Sequence, residues 1–411
     1  GANVFDVYAV DKAGNKNSTS LTVNYDTTNP TLNVSSPLNY SWYNSSSVLI
    51  NVSSSEVGTG MIVPVLDNSL VGWWRMDDLN GSGDVVDYMS VNNGTTQGNA
   101  LQTESGKFGK GWSFDGDDHI IVPYDQSLNF TASGTYTYMA WIKLDADAEA
   151  MEDSLYVFSH NGAERTFGVS TNNRTVITDQ GLTTTYLYSD NNDLPNPVNN
   201  WNHIAGAYNG THLLLYVNGV LEKTGADAGA PIDTGNVVLM MGRHSTQAIR
   251  YFNGTIDEAM IFNRSLGAAE ILSLYNATRL EHTETGLADG SHTFKAYTQD
   301  LAANIVVSDT SEFSVDTVFP GITYDSTTPS NASTQSNTDI LVNLTTSDTN
   351  DHYAFTDFDN DLVLWMRMDD TNGTDPLDIS IYGNNGTRVG NAVQVDNGYF
   401  GKGFEFDGDG D

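Results

Sequence analysis

The stretch NWNHIAGAYNGTHLLLYVNGVLEKT, residues 200–224, decides the fold. It holds three short runs rich in Tyr, Val, Leu and Ile: Trp201 to Tyr208, Leu213 to Val217 and Val220 to Lys223. Such runs read as strands. The Asn218-Gly219 pair between the last two predicts a two-residue hairpin, because both central positions of that turn need positive φ. Working outward, Tyr136 to Leu144 and Val237 to Met241 read as strands too, with turn residues between them. One short helix is expected over Leu266 to Tyr275, capped by Ser265, with Ile271, Leu272 and Tyr275 on one face. The fold class is therefore all-β, with a two-sheet antiparallel sandwich over this region.

Internal repeats set the organisation. Trp73-Trp74-Arg75-Met76-Asp77-Asp78 returns as Trp365-Met366-Arg367-Met368-Asp369-Asp370, and Gly106 to Asp117 returns as Gly398 to Asp409, both at an offset of 292. Phe5 to Asn15 (FDVYAVDKAGN) returns as Phe294 to Asn304 (FKAYTQDLAAN) at 289. A period this long indicates an array of whole domains, since solenoid repeats are ~20–50 residues. Only a short segment, 279–316, separates the large module from the next repeat, and its missing front half lies before that module. The large module is thus expected to be inserted in a loop of the small one, which requires the guest's ends to lie close together. The expected domains are 1–26, the tail of one small domain; 27–66 plus 279–316, a discontinuous one; and 67–278, the inserted module. After these come 317–356, the start of the next small domain, and 357–411, the truncated start of a second large module.

The large module resembles laminin-G-like, concanavalin A-like jelly-roll domains. The resemblance rests on WRMDD after Trp73, FGKGWSFDGDDHIIVP (108–123), YMAWIKL (138–144), residues 200–224 and FNGTIDEAMIFNRSLGAAEILSLY (252–275). The flanking pieces, YAVDKAGN (8–15) and ADGSHTFKAYTQDLAAN (288–304), resemble bacterial and archaeal immunoglobulin-like surface repeats, with Ala303 where the first copy has Gly14. The expected architecture is a concanavalin A-like jelly-roll sandwich flanked by immunoglobulin-like β-sandwich domains.

Composition narrows the function. The 411 residues carry 52 acidic and 17 basic side chains, a net charge of 17 − 52 = −35. Nucleic-acid affinity comes largely from Lys and Arg displacing counterions, so a nucleic-acid partner is excluded. Absence of Cys excludes disulfides, thiolate metal sites and thiol nucleophiles. No apolar run approaches the ~18 residues of a spanning helix, so this fragment is not expected to insert in a membrane. Asn-x-Ser/Thr occurs 17 times, about twice the compositional expectation, which points to a glycosylated, secreted or cell-surface protein of a microbial envelope. Turn-forming Asn, Gly, Ser and Thr crowding together is the plainer reading of the same excess.

A hydrolase on this fold would need two carboxylates ~5–9 Å apart across the scissile bond. Asp257-Glu258 is the nearest candidate, but consecutive strand residues face opposite sides. No serine, zinc or phosphate-loop motif is present. His203 reads as a packed strand residue. No catalytic residue is assigned, and the chain is expected not to be an enzyme. Calcium is the implied cofactor: the resemblance carries over Asp257 of GTIDE with Asp87 and Asn92 from the loop after the first strand. Asp115 of FDGDD reads as a turn former. Asp145-Ala-Asp147-Ala-Glu149 reads as a solvated loop before a cation loop. Tyr186, Tyr188 and Tyr216 are the candidate ligand-binding aromatics, stacking on sugar rings, while Trp74, Trp112, Trp141 and Trp201 are expected to fill the core. The large module, 67–278, has a charge of 10 − 25 = −15, so an anionic glycan would need calcium as a bridge. The expected function is a non-catalytic carbohydrate- or protein-binding adhesion module in a tandem array. A purely structural envelope stalk and a glycan-active hydrolase are the alternatives.

Overall fold

The structure is a computed structural model that describes residues 2–13, 15–55, 60–131, 134–145, 155–160, 165–179, 181–182, 186–227, 229–231, 238–245, 250–276, 279–408 and 410. Asp147 and Glu149 of the acidic loop, and Val237, lie outside these residues. Strands dominate, and Ala268–Tyr275 is the single α-helix among the described residues. None of the described helices is long and apolar enough to cross a membrane. The chain divides into two compact units: 1–36, 50–282 and 294–310 form the first, and 37–49, 283–293 and 311–411 the second.

Two antiparallel sheets in the first unit form the jelly roll. One runs, in spatial order, Val220–Ala226, His212–Val217, Asn202–Tyr208, Tyr136–Leu144, Asn253–Phe262, Gly111–Asp115 and Leu101–Thr103, with Leu70–Trp74 also paired to Asn253–Phe262. The other runs Tyr186–Tyr188, Arg174–Thr178, Arg165–Ser170, Leu155–His160, Leu239–Met241, His119–Val122 and Thr95–Gln97. Val217 pairs with Val220 across Asn218 (φ 50°) and Gly219 (φ 80°), the expected hairpin. The helix starts two residues later than its sequence suggests. Gly267 is its cap, and Leu266, whose N–H is held by the Thr137 hydroxyl at 2.9 Å, is buried before the helix begins.

Alternation along the strands fills two separate cores. Leu213, Leu215 and Val217 point between the sheets with Trp74, Trp112, Phe114, Phe158 and Phe167. Tyr216, one residue out of phase, joins Trp73, Trp141, Met139 and Met260 on the opposite side of its sheet, beneath Ile271 and Leu274 of the helix. Full burial of each such side chain is worth about 1.5–3 kcal/mol. Trp201, expected in the core, only half-buries against this second cluster, with the Lys143 ammonium 5.0 Å from its ring. Between the sheets, Arg165 and Asp179 are both fully buried and joined at 2.7 Å, and the Tyr136 hydroxyl donates to the same Asp179 oxygen at 3.1 Å.

The second core is closed by Met61, Val63 and Val65 of strand Met61–Leu66, together with Tyr297. That strand lies antiparallel to Phe294–Gln299, Met61 opposite Gln299 and Leu66 opposite Phe294. Leu32–Ser36 pairs with Asn51 to Ser54 in the same unit. The second unit, taken by itself, is built of short pairs: Trp42–Tyr43 parallel to Ser314 and Val315, Gly321–Tyr324 with Leu344–Ser347, and Val393–Val395 with Gly403–Glu405. In the second unit, Leu344–Ser347 is the strand that pairs with Gly321–Tyr324, Leu344 opposite Tyr324.

Candidate functional site

Strand register places the candidate tyrosines. Tyr188 lies opposite Val176, which lies opposite Gly168 and then Tyr156, and Tyr186 lies opposite Thr178. Residues two apart on a strand share a face, so Tyr186 and Tyr188 present parallel rings, 6.3 Å apart and 9° from coplanar. Tyr186 is 52% exposed. The Arg174 guanidinium lies 4.5 Å from the half-buried Tyr188 ring. Burial raises the Tyr188 phenol pKa above its ordinary value, with neighbouring Tyr156 adding to it. Tyr216 does not join them. It belongs to the other sheet and is 3% exposed under the helix, so it is a core residue and not a ligand contact.

Of the three residues that the resemblance offers as calcium ligands, Asp87 and Asp257 have carboxylates already taken up by backbone N–H groups, while Asn92 Oδ1 is buried with no hydrogen-bond partner among the described residues. Asp87 is fully buried, and its carboxylate accepts four backbone N–H groups: Trp73 at 2.8 Å, Met89 at 3.0 Å, Val91 at 3.2 Å and Asn92 at 2.8 Å. A carboxylate has about four acceptor positions, so an ion would have to displace buried amides. The amide of Asn92 donates to Val71 O at 2.7 Å and Ser127 Oγ at 3.0 Å. Asp257 accepts Lys107 and Phe108 N–H groups at 2.7 and 3.0 Å on one oxygen and Glu258 N–H at 2.8 Å on the other. The same hub recurs in the second copy. There Asp378 accepts Trp365, Ser380 and Asn384 N–H groups, and these bonds outweigh burial to hold its pKa down at about 2. Asp115 accepts the Asn99 amide at 2.6 Å and Asp117 N–H at 3.4 Å, as a turn former does.

Asp257 and Glu258 do share a face, against the alternation rule. A register shift between Met139 and Trp141 marks a bulge opposite Glu258, whose φ is 48°. Ile256 and Ala259 both point into the inner core, so the extra residue goes to the outer side with Asp257. Both acids are fully buried there. Glu258 accepts Trp73 Nε1–H and Gln299 Nε2–H, each at 2.5 Å. Arg75 donates to Gln299 Oε1 at 3.1 Å and to Ala303 O at 2.8 Å, and Gly109 N–H donates to Leu301 O at 2.9 Å. The segments that repeat along the chain therefore meet in one buried joint. His203 is also fully buried, packed on Trp141 at 5.4 Å; burial, with Lys107 adding, pushes its pKa down to about 3.

This joint gives stability a pH dependence. Burial pushes the Glu258 carboxyl from an ordinary 4.5 up to about 8; Arg75 and the Trp73 and Gln299 donors oppose it, and Asp77 adds to it. Asp77 is pushed up to about 6, again by burial first. A carboxyl raised on folding binds protons in the native state that the unfolded chain has released, so its contribution is full below the unfolded pKa and falls as pH climbs through the folded one. Buried His203 and His160 and half-buried His119, held neutral, raise stability with pH up to about 6.5, so denaturant midpoints are expected to fall from pH ~7 to pH ~9, where Glu258 loses its proton. A flat or rising midpoint across that window would count against the protonated joint.

Residues 114–272 match the concanavalin A-like lectin/glucanases superfamily, and this part of the chain is a jelly roll of that lectin type. Among solved structures, domain 4 of AbnA, a GH43 extracellular arabinanase from Geobacillus stearothermophilus, in complex with arabinotriose, is 18% identical. Its TM-score is 0.41, and the match covers 50% of this chain and 98% of that one. The binding domain of Paraclostridial Mosquitocidal Protein 1 is 16% identical with a TM-score of 0.41, covering 51% of this chain and 52% of that one. The binding domain of botulinum neurotoxin DC in complex with rat synaptotagmin II is 16% identical with a TM-score of 0.39, covering 51% of each chain. No curated protein matches.

Proposed function

We propose, from the premise of a lectin-type jelly roll at residues 114–272, that this chain is a non-catalytic binding module of a large secreted or cell-surface repeat protein. Its ligand is a glycan or a cell-surface protein. The edge strand Tyr186–Tyr188 carries this reading: two parallel phenol rings beside the Arg174 guanidinium at the end of a sheet. Flat aromatic faces with a neighbouring donor suit sugar rings and protein surfaces alike. Non-catalysis is supported by the fate of the best acid pair. Asp257 and Glu258 are buried and bonded to N–H groups, out of reach of a glycosidic bond. We further infer that 27–66 and 279–316 form one immunoglobulin-like domain interrupted by 67–278. The pairing of Met61–Leu66 with Phe294–Gln299, on either side of the interrupting segment, supports that inference. The repeats at 289 and 292 support a tandem array, and the 17 Asn-x-Ser/Thr sites support a cell-surface location. Calcium has no part in this reading at Asp87, Asn92 or Asp257.

The test is a glycan array and a cell-binding assay on the whole chain, with Tyr186→Ala alongside. Retention on either surface, weakened about tenfold by loss of the exposed ring, is the expected result. Retention on neither moves the chain to a structural stalk, and release of new reducing ends from a bound glycan overturns the non-catalytic assignment.

A further inference from the structure

The tyrosine strand runs straight into the Asn- and Pro-rich loop 190–200, and a groove of about 690 Å³ lies between that loop and the 171–174 turn. That volume is in the ~300–1,000 Å³ range of small-ligand sites. Its floor is apolar, with Leu194 and Pro197 buried. Four asparagines, 173, 192, 196 and 200, line it together with Pro195 and Val198, and no charged residue does.

The loop is held in shape from both sides. Asn192 and Leu194 N–H groups donate to Asn172 and Asn173 carbonyls at 2.8 and 3.2 Å. On the far side Leu144 N–H donates to Pro197 O at 3.1 Å, and Asn199 N–H to Leu144 O at 2.9 Å. A groove fixed before binding loses little ordering entropy when a ligand enters.

The four amides differ in what they have left to offer. Asn200 donates its amide to Asn196 O at 3.1 Å and Val198 O at 3.2 Å, within the loop. Asn192 and Asn196 are exposed, at φ 61° and 45°, and neither side chain is bonded among the described residues. Asn173 is 6% exposed, and its Oδ1 is buried with no hydrogen-bond partner. An unpaired buried carbonyl is unfavourable, and a donor entering the groove relieves it.

We infer that this groove is a subsite for a neutral, hydroxyl-rich ligand, an uncharged oligosaccharide, whose hydroxyl donates to Asn173 Oδ1 while the Asn192 and Asn196 amides engage further hydroxyls. An amide both donates and accepts, as a hydroxyl does, so the two match in pairs. The apolar floor takes the C–H face of a sugar ring. The −15 charge of residues 67–278 disfavours an anionic sugar, and nothing in the lining offers a countercharge. The inference rests on the binding function proposed above and names its ligand class.

The three asparagines all sit in left-handed backbone, where glycine is accepted without strain. A triple variant Asn173→Gly, Asn192→Gly and Asn196→Gly thus removes the amides and keeps the loop. The whole chain and the variant are titrated with neutral gluco-, manno-, galacto- and xylo-oligosaccharides by calorimetry, with thermal melts as the folding control. The expected result is binding of at least one neutral series by the parent, weakened at least about tenfold in a variant that melts with it. Equal binding by parent and variant overturns the groove and leaves the module a lectin. Binding only of sialylated or sulfated sugars overturns the neutral ligand class. Binding of no sugar overturns the groove, while the cell-binding assay decides separately whether the module binds protein. A variant that melts early is replaced by Asn192→Gly alone, an exposed position, under the same criterion.

Discussion

Replacing Asp179 with alanine is expected to destabilise the jelly roll by about 3–5 kcal/mol, the cost of leaving one partner of a buried ion pair uncompensated. Arg165 has no exposed surface, and its Nε lies 2.7 Å from the Asp179 carboxylate. The guanidinium also lies 4.6 Å from the Tyr136 ring and 5.1 Å from Phe130. Those π-faces soften the loss by ~1–2 kcal/mol at most. Tyr136 loses the acceptor of its hydroxyl in the same stroke. Removing both charges is a different matter, since well-packed apolar replacements of buried pairs are often neutral or better. Arg165→Met with Asp179→Leu is therefore expected to recover most of what Asp179→Ala loses. Guanidinium unfolding followed by tryptophan fluorescence reads both variants. A single-variant loss under ~1 kcal/mol, the size of an ordinary surface change, would mean that water reaches Arg165.

The strand runs and the Asn218-Gly219 hairpin were legible because they depend on local chemistry. Asn218-Gly219 demanded its turn, and the runs at 136–144 and 201–208 needed only their richness in β-forming residues bounded by turn residues. What lay on each face was harder to read. Tyr216 is a candidate by residue type alone, and LLLYV at 213–217 is a continuous apolar run. Such a run marks a strand covered on both sides, and Tyr216 is covered by the helix. Glu258 was misjudged for another reason: nothing in TIDEAM announces a bulge, and a glutamate at positive φ is chosen by tertiary bonding rather than by propensity. Asp87 carried a ligand's residue type in a ligand's place. Spacing cannot tell a carboxylate that gathers backbone N–H groups from one that gathers a cation. The groove was visible only as NNDLPNPVNN, an Asn and Pro loop; that its amides converge with Asn173 needed the fold.

Glu258 leads to the second large effect, because it stands where the repeated segments converge. Glu258→Ala removes the acceptor of both Trp73 Nε1–H and Gln299 Nε2–H. Each buried donor left unpaired costs about 1–3 kcal/mol, so a loss of about 2–5 kcal/mol is expected, offset in part because a buried carboxyl no longer has to be held in its raised-pKa state. Gln299→Val tests the other side of the contact, and the FDVYAVDKAGN copy already has Val10 at the matching position. Valine there strips one oxygen of Glu258 of its donor and takes a partner from Arg75. If the joint works as a unit, the double variant Glu258→Ala with Gln299→Val costs less than the sum of the singles, by about 0.5–3 kcal/mol of coupling. Additive losses would mean that Phe294–Gln299 packs on the jelly roll through its apolar side chains alone. In that case the Trp-Arg-Asp and Gly-Lys-Phe-Gly-Lys-Gly repeats would owe their recurrence to the interior of the large module and not to its seam with the strand beside it.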